Sequence, residues 1–249
     1  MTTRQEILDW CSETLQPSMF QDYAPNGLQV EGKENIHTIV TAVTASLAAI
    51  EYAVSKNADM LLVHHGYFWR SEPITITGWK KLRIATLLQH QINMVGYHLP
   101  LDAHSTLGNN AQLAQLLGWK LESLAGEQNL LNIGRLNQPC TLAQLADDLT
   151  TKLQHKPIAI GASDKLLRRI AWCTGGAQNF FQVAIEAGVD VFVTGEISES
   201  QYHMAQESGV AFISAGHHAT ERYGVQALGA ALAKRFNMDI YFFDEKNPA

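Results

Sequence analysis

The sequence lacks the features that mark a membrane, disulfide-rich or nucleic-acid-binding protein. No apolar run approaches the roughly 20 residues that span a bilayer, so we expect no membrane partner. The cysteines are too few and too widely spaced for a disulfide framework or a zinc knuckle; they are Cys11, Cys140 and Cys173. The 18 Lys and Arg against 24 Asp and Glu give a net charge of -6, which disfavours nucleic-acid binding because phosphate backbones are repelled.

The first residues also lack the basic and then apolar layout of a secretory signal peptide, so we expect no leader. Thr3 and Glu6 instead have the spacing of a capping box at the start of an amphipathic helix. Together with the low cysteine content, this pattern predicts a cytoplasmic protein.

Two stretches of the chain alternate strand-like and helix-like patterns. The first contains TIVTAV, DMLLV and INMVGYH as strands, and the second contains RIAWCT, VDVFVTGE and VAFISAG, followed by a long helical pattern and the strand DIYFFD. Continuous apolar strands separated by helices are typical of mainly parallel or mixed sheets. We therefore predict an α/β protein with two linked α/β domains at residues 1–125 and 167–249, joined by a small linking subdomain at 126–166.

The two halves also resemble each other, which indicates an internal repeat. Aligning DMLLVHHG (59–66) with DVFVTGEI (190–197) matches two strand ends. One strand later, HLPLD (98–102) matches HHATE (217–221), and each segment is a histidine followed four residues on by a carboxylate. We interpret the halves as pseudo-repeated.

Imidazole and carboxylate side chains follow the predicted strands in both halves. Ligands of parallel α/β sheets gather at the carboxyl ends of the strands, and a histidine and a carboxylate four residues apart share one helical face. Adjacent histidines can diverge at the bend that Gly66 permits. The sequence therefore predicts a divalent-metal site, with candidates His64, His65, His98, Asp102, Glu196, His217 and Glu221.

Each of these features also has an ordinary structural explanation. A single histidine after a strand is more often a hydrogen-bonded surface or core residue than a ligand. Glu196 fits a partner behind a ligand, an acid–base residue or a helix cap. His218 could replace His217, and Pro100 makes the pairing of His98 with a helical carboxylate less regular. The pair Gly175–Gly176 fits either an anion cradle or a tight turn.

Several segments, in order, resemble the Nif-three-like family, whose members are also catalogued as type 2 homologues of GTP cyclohydrolase I. They are PNGLQVEG, LLVHHGYFW, HLPLD, CTGGAQ, VTGEISES and AGHHATE, and the chain is similar to the short bacterial form. The resemblance implies two α/β domains with a dinuclear metal centre between them and a toroidal homohexamer. It implies the metal ligands His64, His65, Asp102, His217 and Glu221. Many relatives have His-Thr where His98-Leu99 stands, so whether His98 is a ligand stays open.

Mixed imidazole and carboxylate ligation suits Zn, Fe, Mn or Ni. Five side chains leave open positions on two divalent ions, so we expect bound water and metal-dependent hydrolysis of a small-molecule substrate. Glu196 and His98 are the candidate catalytic residues that move protons. Nothing in these residues selects GTP. The alternative function is a non-catalytic metal-responsive regulator or ring-forming scaffold.

Overall fold

The computed structural model describes residues 2–249 as a mixed α/β structure. The chain divides into two compact units. The first contains the residues up to Gly108 together with Gly224–Lys246, and the second contains Asn109–Tyr223 and Asn247–Ala249. Each unit has its own large sheet, which supports the predicted α/β fold class.

Thirteen strands and nine α-helices lie within residues 2–249. The strands are β1 (Thr2–Thr3), β2 (Gly27–Val30), β3 (Asn35–Ile36), β4 (Thr38–Thr44), β5 (Met60–His65), β6 (Asn93–Gly96), β7 (Lys120–Ala125), β8 (Leu131–Thr141), β9 (Ile158–Ile160), β10 (Leu166–Trp172), β11 (Val191–Thr194), β12 (Ala211–Ser214) and β13 (Asp239–Phe243). The helices are α1 (Arg4–Leu15), α2 (Leu47–Ser55), α3 (Gly78–Gln89), α4 (Leu99–Ala103), α5 (Asn109–Leu117), α6 (Leu142–Leu153), α7 (Phe181–Glu186), α8 (Glu199–Ser208) and α9 (His217–Phe236). None of the helices in this part of the chain is long and apolar enough to cross a membrane.

The sheet of the first unit has the strand order β13-β4-β5-β6-β2, in which only β2 runs antiparallel to its neighbour. Successive residues of β5 point to opposite faces of the sheet. Leu61 and Val63 belong to a core with α2 and α3, whereas Met60 and Leu62 belong to a core with α1 and α9. Because helices cover both faces, β5 is apolar almost throughout, which explains the unbroken apolar run in the sequence.

The sheet of the second unit has the strand order β7-β8-β10-β11-β12-β9. Strands β10, β11 and β12 are parallel, and β8 and β9 pair antiparallel on either side of them. Residues 126–166, predicted as a linking subdomain, contribute β8, α6 and β9 to this unit. The segment is thus built into the sheet that carries the second set of candidate site residues.

An aspartate fixes the start of the middle parallel strand in both units. Asp59, just before β5, accepts hydrogen bonds at Oδ2 from two successive backbone N–H groups at the start of β4 (2.9 and 3.2 Å). Asp190, just before β11, accepts at Oδ2 from two successive N–H groups of β10 (2.8 and 2.9 Å). These matching bonds support the predicted alignment of the two strands.

The alignment fails by one residue at the next strand. The N–H of Tyr97 donates to the carbonyl oxygen of Val63, four residues after Asp59 (3.0 Å). The N–H of Ala215 donates to the carbonyl oxygen of Thr194, four residues after Asp190 (2.7 Å). Tyr97 therefore corresponds to Ala215. The first residue of HLPLD then matches the glycine before HHATE, so the predicted residue-for-residue match of these two segments is wrong by one position.

Candidate metal centre

Three histidines of the first unit come together at the carboxyl ends of its strands. His64 and His65 close β5, and His98 follows β6 at the start of α4. One donor atom from each of these histidines lies within 4.8 Å of the other two. Asp102, within α4, places Oδ1 3.5 Å from Nε2 of His64. The first unit therefore gathers four of the candidate residues that the sequence predicts.

His64 is held in one ring orientation. Its Nδ1 lies 2.9 Å from the carbonyl oxygen of Tyr97, which can only accept a hydrogen bond, so Nδ1 carries the hydrogen. In the neutral ring, Nε2 then keeps its lone pair toward the Asp102 carboxylate. A lone pair and a carboxylate that face each other in a buried position favour a shared cation.

His98 is held by a residue that the sequence analysis missed. Nδ1 of His98 lies 2.7 Å from Oδ1 of Asp22. Burial alone would raise the pKa of Asp22, but hydrogen bonds from His98, Asn26 and the N–H of Leu99, with the positive charge of His98, lower the pKa to about 2. Asp22 is therefore a carboxylate at neutral pH. Its separation of 76 positions from His98 leaves no spacing signal in the sequence.

Two aromatic rings lie beside the same histidine cluster. The Trp69 ring lies 4.9 Å from the His98 ring and 5.8 Å from the His65 ring, measured between centroids. The ring of Tyr23 lies 6.5 Å from that of His98. The sequence analysis also missed these two residues, because neither stands at a strand end.

The chain leaves the histidine pair through a tightly packed bend. A side chain at Gly66 would overlap the side chain of Gln29. Gln29 accepts a hydrogen bond from the N–H of Tyr67 (2.7 Å) and donates one to the carbonyl oxygen of Pro25 (2.7 Å). The absence of a side chain at Gly66 therefore lets Gln29 pack against the bend, in addition to permitting the predicted bend itself.

The second unit holds the other predicted donors on α9 and after β11. Nε2 of His217 lies 3.2 Å from Oε2 of Glu221, one helical turn later, as the four-residue spacing predicts. Nδ1 of His217 lies 2.6 Å from Oε1 of Glu196. Glu196 is thus placed as the partner behind His217, whereas the helix-cap position of α8 belongs to Ser198.

The two carboxylates dominate the electrostatics of His217. Burial alone would lower the pKa of this imidazole, but the hydrogen bonds and negative charges of Glu221 and Glu196 outweigh burial and raise the pKa to about 9. Without a metal, a proton supplies the positive charge that this position favours. A divalent metal ion bound here could supply positive charge in place of the proton.

The glycine turn beside these residues leaves room for them. Gly175 has a φ of +69°, and a side chain there would overlap the carboxylate of Glu221. The N–H of Gly175 donates to Oγ1 of Thr220 (3.1 Å), and the carbonyl oxygen of Gly175 accepts from the N–H of Gly195 (2.8 Å). These bonds favour the tight-turn interpretation of Gly175–Gly176, since the N–H is directed at a side chain of the protein.

The ring nitrogens of the four histidines share one pattern. In each ring Nδ1 faces a protein oxygen: Tyr97 O for His64 (2.9 Å), Thr44 Oγ1 for His65 (3.4 Å), Asp22 Oδ1 for His98 (2.7 Å) and Glu196 Oε1 for His217 (2.6 Å). Metal-ligating histidines almost always bind a carboxylate, carbonyl or water through the nitrogen that does not hold the metal. The histidines therefore fit a divalent metal through Nε2.

Of the remaining histidines, His203 and His37 have exposed side chains. His203 lies 3.3 Å from Glu199 on α8, and His37 lies 3.8 Å from Asp59. His104 caps a turn by accepting N–H groups from Thr106 and Leu107. These three histidines therefore have ordinary structural roles.

The fold and donor set define an α/β protein with several His/Asp/Glu groups that could hold a metal ion. The model of the family described as Duf34/NIF3 (NGG1p interacting factor 3) matches residues 2–248, and the chain belongs to this family. The resemblance stated from the sequence motifs is thereby confirmed. A "GTP cyclohydrolase 1 type 2 homolog" of Neisseria meningitidis serogroup A is 63% identical over 249 residues, 100% of both chains. One of Yersinia pestis is 52% identical over 92% of this chain and 93% of its own.

Solved structures show the same fold. A protein described as ybgI, of unknown function, has a TM-score of 0.97 and 46% identity, with 100% of both chains covered. A protein of Thermus thermophilus has a TM-score of 0.88 and 35% identity, again over 100% of both chains. These structures agree with the two-sheet α/β architecture described above.

Proposed function

We propose that the chain binds two divalent metal ions and acts as a metal-dependent hydrolase on a small-molecule substrate. The proposed ligands are His64, His65 and Asp102 in the first unit and His217 and Glu221 in the second. The observation that carries the proposal is the shared orientation of the histidines, whose Nδ1 atoms face protein oxygens, while Nε2 of His64 and Nε2 of His217 each face a carboxylate that is itself a proposed ligand.

The donor set suits the proposed chemistry. Imidazole and carboxylate ligands bind Zn, Fe, Mn or Ni, and five side chains leave coordination positions for water. Held by these residues, two such ions would supply Lewis-acid activation of water and of a substrate oxygen. The residues themselves bind and orient: Tyr97 and Glu196 fix the rings of His64 and His217.

Two residues are proposed to move protons. Glu196 is half-exposed and contacts His217 through a 2.6 Å hydrogen bond, so it can exchange a proton with solvent. His98 lies within 4.8 Å of the donor atoms of His64 and His65, where it can accept a proton from bound water. Proton transfer by His98 requires that Nε2 is not already occupied by a metal.

The name of the curated relatives motivates the first substrate to test. They are called homologues of a GTP cyclohydrolase, and GTP therefore belongs in a panel of phosphoesters and cyclic amide-like compounds. We further propose a cytoplasmic location and a toroidal homohexamer. Both rest on the sequence motifs and the family, and size-exclusion chromatography with light scattering would test the hexamer.

The deciding experiment is metal analysis of protein purified without added metal, coupled to the substrate panel. We expect two metal ions per chain and hydrolysis of at least one substrate. The variant Asp102→Ala should lose metal and activity together, because Asp102 faces Nε2 of His64. Asp147→Ala, on the exposed face of α6, is the control and should keep both.

Each contrary outcome has a distinct meaning. Two metal ions retained by Asp102→Ala would show that the ligand set is wrong. Hydrolysis that survives removal of the metal would exclude the metal-dependent mechanism. Two bound metals with no turnover across the panel would favour the non-catalytic regulator or scaffold.

A further inference from the structure

The carboxylate of Asp22 accepts hydrogen bonds from four N–H donors. Oδ1 accepts from the N–H of Tyr23 (2.6 Å) and from Nδ1 of His98 (2.7 Å). Oδ2 accepts from Nδ2 of Asn26 (2.8 Å) and from the N–H of Leu99 (3.0 Å). The side chain is only 4% exposed. Four donors saturate an ionised carboxylate, so its orientation is fixed.

This arrangement determines which nitrogen of the His98 ring faces the carboxylate. An ionised carboxylate can only accept, so Nδ1 of His98 carries a hydrogen and, in the neutral ring, Nε2 keeps the lone pair. The backbone of His98 is held as well, because its N–H donates to Oδ1 of Asn26 (2.8 Å). The His98 ring lies 5.1 Å from that of His64 and 5.7 Å from that of His65.

The negative charge of Asp22 matters beyond the local turn. Burying a charge costs more free energy than burying a neutral amide, and here N–H donors on both oxygens offset that cost. One of these donors is the His98 ring, and a negative charge behind an imidazole raises the basicity of the opposite ring nitrogen toward a metal. Asp22 therefore orients His98 in addition to holding the turn.

We propose that Asp22 is a positioning residue that presents Nε2 of His98 as a third imidazole ligand from the first unit. His98 then becomes a sixth protein ligand, beside the five proposed above. The inference rests on the proposed function, because it presupposes a metal centre at His64 and His65. It also reassigns His98 from proton transfer to metal binding, since one Nε2 cannot do both.

The test is a titration of the metal-free protein with Co²⁺, followed by visible absorption and calorimetry. Asp22→Asn and His98→Ala should each weaken one of the two Co²⁺ sites by about 10- to 100-fold and change its absorption bands, because a nitrogen ligand is misoriented or lost. The double variant should bind no more weakly than His98→Ala, since Asp22 acts through His98. This readout needs no substrate.

Asp59→Asn is the matched control. Asp59 is also a buried aspartate that accepts two backbone N–H groups, but it lies at the amino-terminal end of β5, whereas His64 and His65 close the carboxyl end. It should lose stability and keep both Co²⁺ sites. If Asp22→Asn does not fold, as judged by circular dichroism, His98→Ala decides the question, because the His98 side chain is less buried.

The outcomes separate the inference from the function on which it rests. A wild-type protein that binds no Co²⁺ contradicts the proposed function itself. Wild-type affinity and spectrum in His98→Ala overturn the inference and leave the dinuclear centre standing. Weak binding by Asp22→Asn with normal binding by His98→Ala also overturns it, because Asp22 then acts through another group.

Discussion

In the first unit, two neighbouring parallel strands and the helix after them deliver three imidazoles and one carboxylate at the carboxyl edge of the sheet. In the second unit, the corresponding elements deliver one imidazole, His217, between two carboxylates, Glu196 and Glu221. The strands themselves are matched by the hydrogen bonds of Asp59 and Asp190. The two units therefore share the arrangement of their parallel strands, whereas the metal-donor residues at the carboxyl ends of those strands differ.

The helices that follow β6 and β12 sharpen this contrast. His98 precedes α4, and its Nδ1 turns to Asp22, whereas His217 is the first residue of α9 and contacts Glu221 on the same helix. Both segments have a histidine and a carboxylate four residues apart, yet they stand one position out of register. Their similar spacing therefore does not reflect equivalent positions in the two halves.

The largest effect is expected from Gly175→Ala, which tests whether the second set of donors depends on its glycine turn. A methyl group would overlap the Glu221 carboxylate at a φ of +69°, so we expect a loss of about 3 kcal/mol or more in stability and loss of metal binding. Urea unfolding and metal analysis measure these effects. Gly209→Ala is the control, since its φ is +72° with open space around it, and should cost about 1 kcal/mol. Equal costs would contradict the close packing at Gly175.

Asp59→Ala and Asp190→Ala compare the two strand-start aspartates. Each variant leaves two backbone N–H groups without their acceptor, and Asp59 also loses a 2.7 Å ion pair with Lys33. We expect about 3 kcal/mol for Asp59→Ala and about 2 kcal/mol for Asp190→Ala in urea unfolding. A larger cost for Asp190→Ala would mean that the two aspartates are not equivalent anchors.

His217→Gln tests the charge between the two carboxylates of the second unit in metal-free protein. The folded-state pKa of about 9 lies above the ordinary 6.5, so the stabilisation is fully present below pH 6.5 and is lost as pH rises through 9. Because the side chain is partly exposed, we expect the wild-type advantage to be about 2 kcal/mol at pH 6 and near zero at pH 10.

Glu196→Gln removes one of the two negative charges and should give an intermediate dependence on pH. Urea unfolding across pH 6 to 10 is the measurement for both variants. A constant difference between wild type and His217→Gln over this range would show that His217 is not protonated in the folded, metal-free protein.

The smallest effects concern helix caps in the two units. Ser46 accepts the N–H of Ala49 at the start of α2 (3.1 Å), and Thr141 accepts that of Gln144 at the start of α6 (3.2 Å). Replacing either by alanine should cost about 1 kcal/mol in thermal or urea unfolding, with the larger cost at the buried Ser46. Unchanged stability would mean that water replaces the lost acceptor.

The sequence predicted the parts of this architecture that depend on local pattern. Apolar runs marked the parallel strands because helices cover both faces of the first sheet, and the donors after those runs identified the edge that carries the site. The contacts of Asp22 could not be predicted, since they join positions 76 residues apart without a spacing rule. The pairing of β13 beside β4 was also hidden, because β13 reads as an ordinary closing strand.

The bend after His65 has a consequence for how this family can vary. The side chain of Gln29 fills the space that a side chain at position 66 would need, and Gln29 links the bend to Pro25 by hydrogen bonds. A larger residue at position 66 therefore requires a shorter one at position 29. A shorter residue at position 29 alone would remove the hydrogen bonds of Gln29 to Pro25 and Tyr67. Across relatives, these two positions should change together or not at all, although they lie 37 positions apart in the chain.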